Sequence, residues 1–174
     1  EFSYFEGPSG AERPVSLFDL ETGARHFYEG YNPNERIVRI ECASGQVDYF
    51  EGEAHKEFLV KRRTPGGCTI NYAGDEPGKE RMVRFITKDG RCQLYVGSKG
   101  EERLVRMYST TKPEKWWEGN VDVTLLDGPK NEERKTCQLS WTGLVKHYHG
   151  PKDQEGVARI LFLNSGTLNQ YDPT

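Results

Sequence analysis

The chain has 174 residues, enough for one domain of ordinary size. Only 34% are hydrophobic and 29% are charged, which is thin for one deep core and suits a shallow one in which each unit touches its neighbours. The net charge of −3 excludes a strongly basic nucleic-acid footprint, and no apolar run of about 18 residues marks a membrane span.

An aromatic-x-Gly triplet recurs along the chain: Phe5-Glu6-Gly7, Tyr28-Glu29-Gly30, Phe50-Glu51-Gly52, Tyr72-Ala73-Gly74, Tyr95-Val96-Gly97, Trp117-Glu118-Gly119 and Tyr148-His149-Gly150. The glycines step by 23, 22, 22, 23, 22 and 31 residues. Five or six residues after most of them comes a Glu, then usually an Arg and a Val-base pair, as in Glu35-Arg36-Ile37-Val38-Arg39 and Glu102-Arg103-Leu104-Val105-Arg106. A turn glycine precedes the next triplet at Gly23, Gly45, Gly67, Gly90 and Gly143. Three coincident marks define a tandem repeat of about seven units, each 22–23 residues long, in a single domain over 1–174.

Taken in chain order, the first copy carries Pro14 where strand pairing needs an N–H, which fits an edge strand. In the third copy Gly45-Gln46 is a turn, 47–53 a strand with a central aromatic, 54–56 a connection and 57–63 a second strand closed by a turn at 64–67. Two strands and two short connections make a hairpin, and chained hairpins make an all-β antiparallel meander. The sixth copy is irregular. Trp117-Glu118-Gly119 is on schedule, residues 120–128 read as an insertion, and Val121 to Leu125 alternates like a strand. Within each repeat the ring and the glycine two residues later share a face, so the glycine is expected to leave room for a neighbouring ring. Stacking then aligns Phe5, Tyr28, Phe50, Tyr72, Tyr95, Trp117 and Tyr148 into a ladder above Gly7, Gly30, Gly52, Gly74, Gly97, Gly119 and Gly150. Each ring would bury about 150–250 Å².

The aromatic-Glu-Gly units at this period, clearest in Tyr28-Glu29-Gly30 and Phe50-Glu51-Gly52, resemble the MORN repeat family from about Tyr4 to Tyr171. The second half departs: MORN repeats usually carry Gly-x-Gly where this chain has Glu-Arg-x-Val-Arg. The resemblance implies an elongated, twisted meander used for scaffolding, dimerisation and attachment of partners near membranes. It also implies contact with phosphoinositides.

Two columns are candidate binding residues. The basic column is Arg39, Lys61, Arg84 and Arg106, continued by Arg159; it offers an anion-binding stripe or, more simply, Arg–Glu pairs between neighbouring repeats. The other column is aromatic. Trp116 precedes the ladder residue Trp117 and points to the opposite face, which it shares with Tyr49 and Phe27 as a candidate partner surface. His147 and His149 flank Tyr148 but have no third ligand nearby, and the cysteines Cys42, Cys68, Cys92 and Cys137 form no CxxC, so no metal and no cofactor are expected. Free thiols fit a reducing, cytoplasmic setting, at the periphery of a membrane or the cytoskeleton. No nucleophile elbow, P-loop or HExxH occurs and the carboxylates are periodic, so no catalytic residue and no enzyme are expected. The expectation is a protein-interaction or scaffolding module, with a partner protein or a second copy. Anionic-lipid binding through the basic column, or service as a regulatory or targeting module of a larger enzyme, are the alternatives.

Overall fold

The computed structural model describes residues 2–31, 33–110 and 121–171. The described chain is all-β: β1 Phe2–Glu6, β2 Arg13–Phe18, β3 Arg25–Glu29, β4 Arg36–Glu41, β5 Val47–Glu51, β6 Phe58–Arg63, β7 Thr69–Ala73, β8 Arg81–Ile86, β9 Cys92–Val96, β10 Arg103–Thr110, β11 Val121–Asp127, β12 Arg134–Leu139, β13 Leu144–His149, β14 Gly156–Phe162 and β15 Thr167–Gln170. Two compact units divide it, Glu1–Met82 and Val83–Thr174. In the first, β1 to β7 pair antiparallel in chain order. In the second, residues 84–86 of β8 and then β9 to β15 do the same. The hairpin meander expected from the repeat is therefore present in both units, open at β1 and at β15.

Each repeat is closed by two turns of different chemistry. The first is the tight turn at the glycine that precedes a triplet. Cys42 N–H donates to the Gln46 carbonyl at 2.9 Å, Gly45 N–H donates to the Cys42 carbonyl at 2.9 Å, and Gly45 sits at φ +85°. A left-handed residue is needed there to return the chain, and glycine adopts it without a Cβ penalty. The same bonds recur around Gly67, Gly90 and Gly143.

The second turn follows the triplet glycine. Lys56 N–H donates to the Glu53 carbonyl at 3.0 Å, with His55 at φ 65°, and Asn131 and Asp153 take the same left-handed position in later repeats. Here the structure corrects the expectation that the triplet glycine makes room for a ring. A Cβ on Gly30 would lie 2.4 Å from the Asn34 carbonyl oxygen, and one on Gly52 would lie 2.6 Å from that of Lys56. The space is filled by the return limb of the glycine's own turn.

That geometry recurs at Gly128, whose φ is +125° and whose Cβ would meet the Glu132 oxygen at 2.7 Å. Leu126 stands where the ring stands in other repeats. From Gly97 to Gly128 is 31 residues and from Gly128 to Gly150 is 22, so the nine surplus residues fall earlier than the expected 120–128 insertion. Residues 121–127 form the repeat strand β11 itself. Trp117 and Gly119 lie outside the described residues.

The Glu-Arg-x-Val-Arg strand is bulged. Phe27 pairs with Arg39 and Tyr28 pairs with Ile37, so Val38 is an extra residue opposite none. The same skip falls at Val15, Val60, Val105, Thr136 and Ala158. The skip puts Ile37 and Ile40 on the ladder face, opposite Tyr28 and His26. Arg36, Arg39 and Glu41 fall on the other face, opposite Glu29, Phe27 and Arg25. Apolar positions that look out of phase on a regular strand are in phase on a bulged one.

A bulge leaves a backbone N–H without a ladder partner. In this protein the Glu of the next repeat accepts it: Ile37 N–H donates to Glu57 Oε1 at 3.0 Å, Leu59 to Glu80 at 3.2 Å, Leu104 to Glu133 at 3.1 Å and Lys135 to Glu155 at 3.0 Å. Arg36, Arg103 and Arg134 donate to the Gly52, Gly128 and Gly150 carbonyls at 2.9, 3.2 and 3.1 Å. The periodic Glu and Arg thus clip each repeat to the backbone of its neighbour. Among the described residues, Arg36 and Arg39 form their ion pairs with Glu29 and Glu41. Pro14 occupies the equivalent position in the first copy, where it has no N–H to satisfy; the strand is not the edge expected from this proline, since β2 pairs with both β1 and β3 and the bulge is what tolerates it.

Each unit is one layer thick. Among the described residues no side chain falls below 2% exposure, and Ala24 and Asp48, each 8% exposed, are the most enclosed. Tyr28, Phe50, Tyr72, Tyr95 and Tyr148 are half-buried, and Phe5 at the edge is 54% exposed. The rings therefore bury less than full core aromatics would.

Candidate interaction faces

Several polar groups of the ladder face are paired with one another. Asp48 lies opposite Arg62 and accepts two hydrogen bonds from it, from Nε at 2.7 Å and Nη2 at 2.8 Å. The Asp48 carboxylate also takes both contacts of the Gln46 amide, at 3.2 and 3.1 Å. The hydrogen bond to Asp48 raises the Arg62 guanidinium above its ordinary value. Burial raises the Tyr72, Tyr95 and Tyr148 hydroxyls. Tyr95 and Tyr148 donate to Gln93 and Gln138 at 2.7 and 2.8 Å. The Asp48–Arg62 pair was not anticipated from the sequence; its signal would have been two opposite charges at apolar-phase positions of adjoining strands.

The opposite face of the first unit joins what the sequence left as two columns. Register places Phe27, Arg39, Tyr49, Lys61 and Asn71 side by side on β3 to β7. The Arg39 guanidinium lies 3.8 Å above the Phe27 ring, and Lys61 Nζ lies 5.2 Å above Tyr49. Aromatic and cation alternate across adjacent strands, and each ring holds one cation in place. Stacking sets the plane of Arg39. Its Nε sits 3.3 Å from Glu41 Oε1, but out of hydrogen-bond alignment.

On the opposite face of the second unit the corresponding row reads Arg84, Leu94, Arg106, Leu125, Cys137, His147 and Arg159. Arg84, Arg106 and Arg159 are exposed. Arg84 Nε points at Cys92 Sγ at 3.3 Å, and Arg106 Nη1 donates to the Tyr108 hydroxyl at 2.9 Å. Trp116 lies outside the described residues, and Leu125 stands where Phe27 and Tyr49 stand in the first unit. All four cysteines are free thiols, and burial raises that of Cys137. Among the described residues no three His, Cys, Asp or Glu converge as metal ligands, and no helix is long and apolar enough to cross a membrane.

Depressions in the described surface are shallow. One, on the turn side of the second unit, is lined by Leu104, Met107, Leu126, Glu133, Lys135 and Lys152. Most of its charged groups have partners: Glu133 and Glu155 take backbone N–H groups, Lys152 Nζ donates to the Asn131 carbonyl at 2.7 Å, and Lys135 Nζ lies 5.4 Å over the Tyr148 ring. No model of a known protein family matches the chain, and a search of the curated proteins returns no match.

Proposed function

We propose that this chain is a non-catalytic, MORN-like repeat module that binds a partner protein through the face opposite its aromatic ladder. One observation carries the reading: the contiguous row Phe27, Arg39, Tyr49 and Lys61, in which each cation is seated on a ring. Such a row offers apolar area and positive charge together, pre-ordered, so little side-chain entropy is lost when an acidic segment lies across it. A sheet one layer thick, with both faces open to water, is suited to receiving another chain as its second layer. Scaffolding in the cytoplasm is the role this implies.

The test is affinity capture from native extract with cross-linking. Cross-links from captured protein should fall at Lys61 and neighbouring positions, and Arg39→Glu with Lys61→Glu should weaken capture and remove the cross-links to the first unit while leaving the circular dichroism spectrum unchanged. A strict monomer by light scattering that captures nothing overturns the reading. The exposed Arg84, Arg106 and Arg159 favour a second reading, binding to anionic lipid. That reading requires salt-sensitive flotation with phosphatidylserine vesicles, lost in Arg84→Glu plus Arg106→Glu. Absence of flotation at low salt removes it.

A further inference from the structure

The second unit carries a row that no repeat mark signals. On the face that holds Arg84 and Arg106, the residues Tyr108, Val123, Leu139, Val145, Leu161 and Leu168 pair in direct register across β10 to β15. Ile86 and Cys92 extend the row through β8 and β9. Leu139 is 39% exposed and Leu168 is 52% exposed. The ladder face of these strands is mixed at the same level, where Thr124, Gln138, Lys146 and Asn169 share the row with Met107 and Ile160.

Charge beside the row is one-sided. Register puts Arg84, Arg103, Arg106, Arg134 and Arg159 on this face; among the described strand residues they face the single carboxylate of Asp127, which lies 3.5 Å from Arg103. On the corresponding face of the first unit the arginines have nearby carboxylates: Arg13 with Glu6, Arg36 with Glu29 and Arg39 with Glu41, at 3.7, 3.2 and 3.3 Å. A chain of net charge −3 has thus gathered uncompensated arginine beside an apolar stripe.

We propose that this face of the second unit binds an acidic amphipathic helix of a partner protein, laid along the row and across the strands. Six strands at a spacing of about 4.8 Å make the row about 24 Å long, which is about 16 helical residues at 1.5 Å each. An apolar stripe on the helix repeats about every turn, close to the strand spacing, so successive leucines fall between successive strands. The Arg106, His147 and Arg159 row lies two residues along each strand, about 7 Å to the side, within reach of carboxylates on the flank of such a helix. A second copy of the chain fits this face badly, because a two-fold contact would set arginine against arginine. A membrane would engage the arginines of this face but not its leucines. A flat sheet face that carried its leucines to acyl depth would carry Arg106 and Arg159 with them.

This surface is separate from the cation–aromatic row of the first unit, and its test separates the two. The probe is a synthetic 16-residue peptide with leucines on one helical stripe and glutamates on its flanks, titrated by fluorescence anisotropy against the full chain. Saturable, salt-sensitive binding is expected. Arg106→Glu plus Arg159→Glu, both exposed and tolerable to the fold, should weaken it at least tenfold, as should Leu139→Asp. Arg39→Glu plus Lys61→Glu should leave it unchanged. Four results overturn the proposal: no saturable binding, equal binding of a scrambled peptide without the stripe, binding to phosphatidylserine vesicles but not to the peptide, or a dimer in light scattering that Leu139→Asp abolishes.

Discussion

Single residues divide into those that close turns and those that clip repeats together, and their substitutions separate cleanly. Gly30 and Gly45 both have positive φ, +100° and +85°, but a Cβ on Gly45 meets nothing within 4 Å, whereas one on Gly30 strikes the Asn34 oxygen at 2.4 Å. Gly45→Ala should therefore cost about 1–2 kcal/mol, the left-handed penalty alone. Gly30→Ala should cost more, about 2–4 kcal/mol, because backbone must also shift. Urea unfolding of both variants measures the difference, and equal costs would refute the close-approach argument. The clip residues have an internal control. Glu57→Ala leaves the Ile37 N–H unpaired and should cost about 1–2 kcal/mol. Glu35→Ala should cost well under that, because the position its carboxylate would serve is Pro14, which has no N–H.

The hairpin is the element, and the bulge with its carboxylate clip is what joins one hairpin to the next. Burial pushes Glu57 up, but the N–H groups of its own backbone, Ile37 and His55 outweigh it, and the carboxyl sits below its ordinary value. Glu133 behaves likewise, with burial outweighed by N–H donors that include Leu104. Glu155 is lowered chiefly by the Lys135 N–H. A lowered folded value means that the folded chain binds fewer protons than the unfolded chain near pH 4. The clip contribution is fully present above the unfolded value of about 4.3 and is lost as pH falls through the lower folded values. The thermal midpoint should therefore drop below about pH 4.3, and Glu57→Gln with Glu133→Gln should flatten that acid limb while lowering the midpoint at pH 7. An unchanged acid limb would mean that the clips carry none of the pH dependence.

At the scale of the whole molecule, strands whose described residues include no fully enclosed side chain derive their stability from neighbour-to-neighbour contacts. A peptide covering one repeat, residues 42–68, should give the circular dichroism of an unfolded chain. Amide exchange should be fastest in β1 and β15, whose residues are exposed throughout, and slowest in strands flanked on both sides. Uniform protection across all strands would refute this neighbour-limited picture.

The sequence by itself determined the period, the strand pairs, the turn glycines and the meander, because each depends on local chemistry that repeats: a left-handed glycine and an alternating strand. It also placed Phe27 and Tyr49 in one column and Arg39 and Lys61 in another. Only the tertiary structure merged those columns into one row, because that depends on register between strands, and the bulge at Val38 and Val60 shifts the register by one residue. The bulge also decided what the periodic Glu is for, since an unpaired N–H exists only once the strand has buckled. The sixth repeat could not be read from the aromatic spacing, because Leu126 takes the ring position and Gly128 is recognised by its φ and its close approach to Glu132. The apolar row from Tyr108 to Leu168 was hidden for the same physical reason. Its members are far apart in the chain and become neighbours only through pairing across strands.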